Sequence, residues 1–228
     1  MSTTDTAKEA AKQTARFLLD IKAVNFRPQE PYMLTAGWAS PVYVDCRWVI
    51  SFPEARTRIM ELGIEMLKNK GALHDIASIA GGETAGIPYA AWMAQALGKP
   101  MQYVRKKPKG FGRNAQIEGS LEVGKKALLV EDMATDGGSK INFVNALREA
   151  GAEVSDIFVV FFYGAFPNAL HTLEKAGVRL HYLATWQDVL EVAREDNYFD
   201  AATCEGVADF LANPVAWSEK HGGRGAEQ

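Results

Sequence analysis

The segment from residue 127 to residue 139 combines an apolar run, two adjacent acids and a small polar loop. The run 127–130 is short and continuous, as in a buried strand of a parallel sheet. Glu131 and Asp132 follow directly, and we expect both at the carboxyl end of that strand, where open α/β sheets bind their ligands. Residues 135–139 then lead into a helical pattern, and a loop that enters a helix N-terminus offers unpaired backbone N–H groups to an anion. Acids for hydroxyl groups or a cation, beside amides for a phosphate, predict that this junction binds a phosphorylated sugar.

A second junction of the same kind lies earlier in the chain. Residues 76–80 have the apolar character of a strand, residues 81–85 form a glycine-containing loop, and residues 87–97 have helical spacing. Glycine allows the main chain to approach a bound group closely, so this loop is a candidate for a second anion site. A turn that serves the fold alone is an equally good interpretation of this segment by itself.

The segment between residues 105 and 113 is strongly basic, with five lysines and arginines and two glycines. Because like charges repel one another and glycine keeps a chain flexible, we expect a polyanionic substrate to order this segment as a lid. The alternative interpretation is a charged surface that is simply solvated.

The composition limits the class of protein. The chain has 228 residues, of which 47% are hydrophobic and 23% are charged, and its net charge of −3 argues against a general nucleic-acid binder. Two cysteines, Cys46 and Cys204, are too few for a disulfide framework, which favours a reducing compartment. No apolar run approaches the ~18 residues that a membrane span needs, and the first residues lack a signal-peptide pattern. We therefore expect a cytoplasmic protein that binds neither membranes nor nucleic acid.

Alternating strands and helices predict a parallel sheet with helices on both faces. The apolar spacing predicts helices at residues 6–24, 53–70, 87–97, 140–150, 167–176, 186–194 and 200–211, and strands at residues 76–80, 101–104, 127–130, 155–162 and 178–184. Short β-like runs occupy residues 32–46. We divide the chain into an N-terminal helix with a small β region (1–50), a core (51–213) and a tail (214–228), and we expect residues 221–228 to be disordered.

The junction around residue 131 resembles the phosphoribosyl-diphosphate signature of the type I phosphoribosyltransferases. That signature is an apolar run, two acids, two further residues, threonine, a small residue, glycine and two small residues; here it is Val130-Glu131-Asp132-Met133-Ala134-Thr135-Asp136-Gly137-Gly138-Ser139. The loop 81–86 is similar to the diphosphate loop of the same family. The basic segment through residue 119 resembles the catalytic loop of the orotate phosphoribosyltransferases, and residues 32–45 resemble their N-terminal hood. The four segments occur in family order along the chain.

The resemblance implies a type I phosphoribosyltransferase-like α/β fold, in which a central, mostly parallel sheet is flanked by helices and carries a small N-terminal hood. It also implies which residues bind phosphoribosyl diphosphate, namely Glu83, Thr84, Arg105, Lys106, Lys109, Glu131, Asp132, Met133, Ala134, Thr135, Asp136, Gly137, Gly138 and Ser139. Of these residues, Lys109, Glu131 and Asp132 would be catalytic.

The hood is implied to cover a flat base, with Tyr43, Val44 and Thr135 as the base-contacting residues. The implied reaction transfers 5-phosphoribosyl from phosphoribosyl diphosphate to orotate and releases diphosphate. Mg2+ would be the cofactor, held through the substrate and waters with no direct protein ligand. The resemblance further implies a homodimer in which the basic lid acts across the interface on the partner's site.

Two other functions stay open at this point. Phe162, Tyr163 and Gly164 stand where the family usually has an Asp–Arg pair, whose arginine helps to hold the orotate carboxylate. A phosphoribosyltransferase for another base, such as uracil or a purine, is therefore one alternative. The other is a regulator that senses phosphoribosyl diphosphate and binds nucleic acid, although neither a basic excess nor a helix-turn-helix is visible.

Overall fold

The computed structural model describes residues 3–109, 116–135, 137–166 and 169–225. The predictions made for Asp136, for the middle of the basic segment (110–115), for the start of the helix at 167–176 and for residues 226–228 lie outside this part of the chain. The chain divides into two compact units. Unit 1 comprises Met1–Phe52, Tyr163–Pro167 and Ala184–Gln228, and unit 2 comprises Pro53–Phe162 and Asn168–Leu183. The predicted division at residues 50 and 213 stays a prediction.

The described helices and strands alternate through the middle of the chain. The helices are α1 (Thr3–Asp20), α2 (Pro53–Asn69), α3 (Gly86–Leu97), α4 (Gly138–Glu149), α5 (Ala169–Lys175), α6 (Trp186–Glu195), α7 (Ala201–Ala212) and α8 (Pro214–Lys220), and a 3-10 helix spans Cys46–Ser51. The strands are β1 (Val24–Phe26), β2 (Tyr32–Met33), β3 (Ala39–Ser40), β4 (Val42–Val44), β5 (Ile76–Gly82), β6 (Met101–Val104), β7 (Ile117–Glu118), β8 (Lys126–Ala134), β9 (Asp156–Phe162) and β10 (Arg179–Ala184). Among these helices, none has the length and hydropathy that crossing a membrane requires.

Unit 2 is built on a sheet whose described strands have the order β10-β9-β8-β5-β6-β7. The strand β8 lies between β5 and β9 and is parallel to both, and β6 is parallel to β5. The short strand β7 is antiparallel to β6. The predicted α/β fold with a central, mostly parallel sheet flanked by helices is confirmed.

Successive side chains of a strand point to opposite faces of the sheet, and both faces of this sheet are covered by helices. On one face, Leu129 of β8 and Val159 of β9 pack in one cluster with Leu147 of α4. On the other face, the ring of Phe158 in β9 lies against Gly63 of α2. The strand β8 is thereby held from both sides, which fixes the position of its carboxyl end.

Unit 1 combines helices with two short antiparallel ladders, β1 with β4 and β2 with β3. The helix α1 runs along α6, where Lys12 forms an ion pair with Glu195 at 2.7 Å. Phe166 stacks on Trp38, with 4.4 Å between the ring centroids, and meets Phe210 of α7 edge-on at 5.9 Å. Aromatic contacts therefore join the β region of this unit to its C-terminal helices.

The prediction of a disordered tail is wrong for residues 221–225, and no sequence pattern had indicated α8. The backbone N–H of Arg224 donates to the carbonyl oxygen of Gly37 at 2.7 Å. The buried hydroxyl of Ser218 in α8 accepts from the backbone N–H of Ala39 at 2.9 Å and donates to the carbonyl oxygen of Arg224 at 2.8 Å. The glycine-rich composition suggested disorder, but these contacts to residues far away in sequence hold the segment in place.

Other differences from the predicted elements lie at their ends. The helix α1 ends at Asp20 instead of residue 24, because Lys22 adopts a positive φ of 59° and the chain turns there toward β1. The strand β8 continues to Ala134 instead of ending at residue 130, because β9 pairs with it as far as Phe162.

We expect Gly63→Ala to destabilise unit 2. An alanine is usually favoured over glycine inside a helix, but the added Cβ atom would lie 2.5 Å from Cζ of Phe158. The rigid ring must shift, so we expect urea unfolding to show a loss of about 1–3 kcal/mol in the free energy of unfolding. Adding Phe158→Leu should reduce the loss that Gly63→Ala causes. A Gly63→Ala protein as stable as the wild type would contradict this packing.

Candidate active site

The two predicted anion-binding loops leave the same edge of the sheet. The strands β5 and β8 are adjacent and parallel, with Gly81 opposite Val130, so their carboxyl ends lie side by side. The loop after β5 leads into α3, and the loop after β8 leads into α4. We call these segments the first loop (83–85) and the second loop (135–137). Because each loop enters a helix N-terminus, backbone N–H groups and the positive ends of two helix dipoles converge on one region.

The entry into α4 depends on a glycine. Gly137 precedes the helix with a φ of 82°, a conformation in which any other residue would be strained. Thr135 and Ser139 are both exposed on this turn, as a contact with a phosphate requires. The helix begins at Gly138, so the predicted phosphate-binding residues that are described form the turn and the first residues of α4.

The two acids lie within the strand and not beyond its end. Glu131 pairs with Val159 of β9, and the ladder continues to Ala134, so the expectation that the strand stops before the acids is wrong. Glu131 is 5% exposed and Asp132 is 8% exposed. As neighbours in a strand they point to opposite faces of the sheet. Side chains that face opposite layers have different surroundings.

Glu131 is bound to a buried lysine. Its Oε2 atom accepts a hydrogen bond from Nζ of Lys140 in the first turn of α4 at 2.8 Å, and the two side chains are 6% and 8% exposed. The lysine lies 3.4 Å from the hydroxyl of Ser139 as well. Burial raises the pKa of Glu131 to about 7, against the lowering effect of the Lys140 ammonium group.

The other oxygen of Glu131 fills space that two glycines leave free. A Cβ atom added at Gly82 would lie 2.3 Å from Oε1 of Glu131, and one added at Gly86 would lie 2.0 Å from it. Oε1 has no hydrogen bond of normal geometry, and the backbone of Gly82 acts to lower the pKa of the carboxyl group. These two glycines are therefore required by the carboxylate beneath the loop, whereas the sequence suggested only a close approach to a ligand.

The start of the basic segment is attached to the first loop. The backbone N–H of Lys106 donates to Oε2 of Glu83 at 2.8 Å, and the backbone N–H of Glu83 donates to the carbonyl oxygen of Val104 at 2.8 Å. Residues 105 and 116 are also joined, because the backbone N–H of Arg105 donates to the carbonyl oxygen of Gln116 at 2.8 Å. The positive side chains of 105–109 are thus brought to the edge of the first loop.

Two of these cations are held by one acid. Lys109 forms an ion pair with Glu118 of β7, and Arg105 approaches the same carboxylate at 3.5 Å. The hydrogen bond from Lys109 lowers the pKa of Glu118 below its usual value. A bound polyanion would compete with Glu118 for these two cations.

The predicted base-contacting residues are in different units. In unit 1, Val44 pairs with Val24 and its side chain is buried, while Tyr43 is 36% exposed and lies 5.3 Å from the ring of Tyr32. Thr135 belongs to unit 2. Their joint role in binding a base stays a prediction.

Sequence reasoning missed Lys140. A lysine near a helix start is usually exposed, and nothing local distinguishes this one from a surface residue. The available signal is that a cation in the first turn of a helix is unfavourable, which indicates a nearby anion. Among the described residues there is no group of three or more histidine, cysteine and acidic side chains arranged to hold a metal ion.

The fold and the paired loops define a type I phosphoribosyltransferase, as the comparisons with known proteins agree. The chain is 52% identical over 213 residues to the orotate phosphoribosyltransferase of Cereibacter sphaeroides, covering 93% of this chain and 91% of that protein. No protein-family model matches it. The identity to the C. sphaeroides protein shows that the chain belongs to the orotate phosphoribosyltransferase family.

Solved structures show the same fold. The orotate phosphoribosyltransferase from Aeropyrum pernix is 29% identical with a TM-score of 0.68, and the match covers 82% of this chain and 99% of that one. The UMP synthase of Leishmania donovani is 25% identical with a TM-score of 0.76 over 90% of this chain. That second protein is longer, and the present chain spans 43% of it.

We expect Glu131→Gln to change how stability depends on pH. The folded protein retains a proton on Glu131 up to about pH 7, whereas in the unfolded chain this carboxyl group has its ordinary pKa of 4.5. The stability that this proton contributes is fully present below pH 4.5 and is lost as the pH rises through about 7. The free energy of unfolding of the wild type minus that of the variant should therefore be larger at about pH 5 than at about pH 8. Urea unfolding at both values measures it, and a difference that grows with pH would contradict the assignment.

Proposed function

We propose that the protein transfers 5-phosphoribosyl from phosphoribosyl diphosphate to orotate, giving orotidine 5′-monophosphate and diphosphate, a step of pyrimidine biosynthesis. The observation that carries the proposal is the adjacency of two helix-entry loops at the carboxyl ends of β5 and β8. A substrate with a phosphate at one end and a diphosphate at the other matches two neighbouring anion sites. The name of the C. sphaeroides relative supports orotate as the acceptor.

The chemistry requires positioning and charge stabilisation, with no protein nucleophile. As the bond between C1 of the ribose and the diphosphate oxygen lengthens, positive charge develops on the sugar and negative charge on the leaving group. The second loop binds the 5′-phosphate, and the first loop binds the diphosphate. Asp132 binds ribose hydroxyls and stabilises the positive charge on the ring. We assign this task to Asp132 because Glu131 is already engaged with Lys140.

The basic segment stabilises the leaving group. Lys109 leaves Glu118 for the diphosphate when the substrate binds, and Arg105 and Lys106 add positive charge to the same region. We further propose a homodimer in which this segment covers the active site of the partner subunit, and a location in the cytoplasm.

We propose that Mg2+ binds together with the substrate. A hard cation prefers oxygen ligands, and the diphosphate and ribose hydroxyls supply them with waters, so the protein needs no metal cage of its own. The side-chain oxygen atoms of Asp132, Thr135 and Ser139 are of the type that such an ion prefers, and no described side chain is assigned as its ligand. When bound, Mg2+ would neutralise part of the charge on the diphosphate.

The substrate is tested by mixing the protein with phosphoribosyl diphosphate, Mg2+ and orotate and following the fall in orotate absorbance. We expect Mg2+-dependent consumption of orotate and none of uracil or the purine bases. Turnover of another base alone would contradict the proposed acceptor. If no base is consumed, filter binding of nucleic acid at low salt tests the regulator instead.

We expect Lys109→Ala to lower kcat by roughly 100- to 1,000-fold, as for the loss of one donor that stabilises a developing anion. Far-UV circular dichroism should be unchanged, because Lys109 is exposed. Lys107→Ala is the matched control, since it removes a cation from the same segment at a position to which no contact with the diphosphate is assigned. Equal kcat values for the two variants would remove Lys109 from the mechanism.

A further inference from the structure

An ion pair is buried beneath the two loops of the active site. Glu131 and Lys140 are both more than nine-tenths buried, and their charged atoms are 2.8 Å apart. Removing two charges from water costs several kcal/mol per ion even after relaxation, and well-packed apolar residues often replace such pairs without loss of stability. The cost indicates that this pair does something besides stabilising the fold.

The position of Lys140 adds to that cost. It lies in the first turn of α4, where the helix dipole disfavours a cation. Its ammonium group points inward to Glu131 instead of outward to solvent. The second loop leads into this turn. It is therefore attached through Lys140 to Glu131 of β8, one of the central strands of the sheet.

Glu131 also packs against both ends of the first loop. Its Oε1 atom occupies the space beside Gly82 and Gly86, the glycines on either side of that loop, where no side chain would fit. The order of contacts is thus second loop, Lys140, Glu131 and first loop. A single carboxylate connects the two segments that we assign to the phosphate and the diphosphate.

We propose that Lys140 is a positioning residue of the transferase, which acts through Glu131 to fix the spacing between the two loops. This inference rests on the proposed function, because the spacing matters for a substrate that bridges both loops. Glu131 acts inward on the protein, and Asp132 on the opposite face of β8 is the acid that reaches the ribose.

The charged groups that act on Glu131 are few. Lys140 faces it from α4, and Asp132 is its neighbour in β8. Around it, β5 and α3 present the two glycines, β9 presents Val159, and α4 also presents Phe143, which packs beside Gly82. Without Lys140, only the backbone of Gly82 would offset the burial that raises the pKa of this carboxyl group, so the group would take up a proton at a higher pH.

Lys140→Met tests the inference, because methionine retains the length of the side chain and removes its charge. We expect the Kd for phosphoribosyl diphosphate, measured by calorimetry with Mg2+ and without base, to rise by about tenfold or more. The KM for the base should change little. Because a proton on Glu131 removes the charge of its carboxylate, we expect affinity to fall at low pH, and this fall should begin at a higher pH in the variant than in the wild type.

The double variant Glu131→Gln/Lys140→Met keeps the test valid if the single variant fails to fold. It leaves no unpaired buried charge, so we expect it to fold. Its affinity for phosphoribosyl diphosphate should lack the pH dependence due to Glu131, and the two substitutions should not be additive. If Lys140→Met folds, additive effects of Glu131→Gln and Lys140→Met would overturn the coupling. If it does not fold, a double variant with the Kd and pH dependence of the wild type would overturn the inference.

Arg148→Met is the matched control on the same helix. Arg148 donates to the carbonyl oxygens of Ala176 and Val154 at 2.7 and 2.6 Å, at the opposite end of α4 from the loops. It should lower stability while leaving the Kd and its pH dependence as in the wild type. An equal change in Kd for Arg148→Met and Lys140→Met would show a general structural effect and overturn the inference.

The outcomes separate this inference from the proposed function. A wild type that turns over orotate, with a Lys140→Met variant of unchanged Kd and pH dependence, overturns the inference alone. A wild type that binds phosphoribosyl diphosphate but turns over no orotate, with weakened binding in Lys140→Met, overturns the acceptor alone. A wild type that does not bind phosphoribosyl diphosphate overturns both.

Discussion

The buried contact between Glu131 and Lys140 is the interaction on which the arrangement of the site depends. A carboxylate inside a sheet is tolerated only if a partner charge and enough space are provided. The partner comes from the first turn of α4, and the space comes from Gly82 and Gly86. A buried carboxylate and a lysine in the first turn of a helix are each unfavourable in isolation. Together with the two glycines, they fix the spacing between the first and the second loop.

The position of β8 makes this arrangement possible. Because β8 is paired on both edges by β5 and β9, its backbone is fixed as far as Ala134, and alternation sends Glu131 and Asp132 to opposite faces. The side chains of the two acids therefore have different neighbours. The basic segment begins at the edge of the first loop, and Glu118 forms an ion pair with Lys109.

The central sheet and the order of its strands and helices could be predicted, because buried parallel strands are continuous apolar runs and loops are rich in glycine. The extension of β8 could not, since it depends on pairing with β9. The ordered tail depends on contacts of Ser218 and Arg224 with residues almost the whole chain away. The acids and the loop residues could be identified from the local sequence. The partner of Glu131 could not be identified in this way, because Lys140 differs from a surface lysine only through its burial.

A crystal structure of the protein with phosphoribosyl diphosphate and Mg2+ would test the central claim most directly. The account predicts that Nζ of Lys140 stays within hydrogen-bonding distance of Glu131, while Asp132 contacts the ribose hydroxyls and the substrate spans both loops. A structure in which Glu131 leaves Lys140 and binds the ribose itself would contradict this account. Glu131 would then act on the substrate directly.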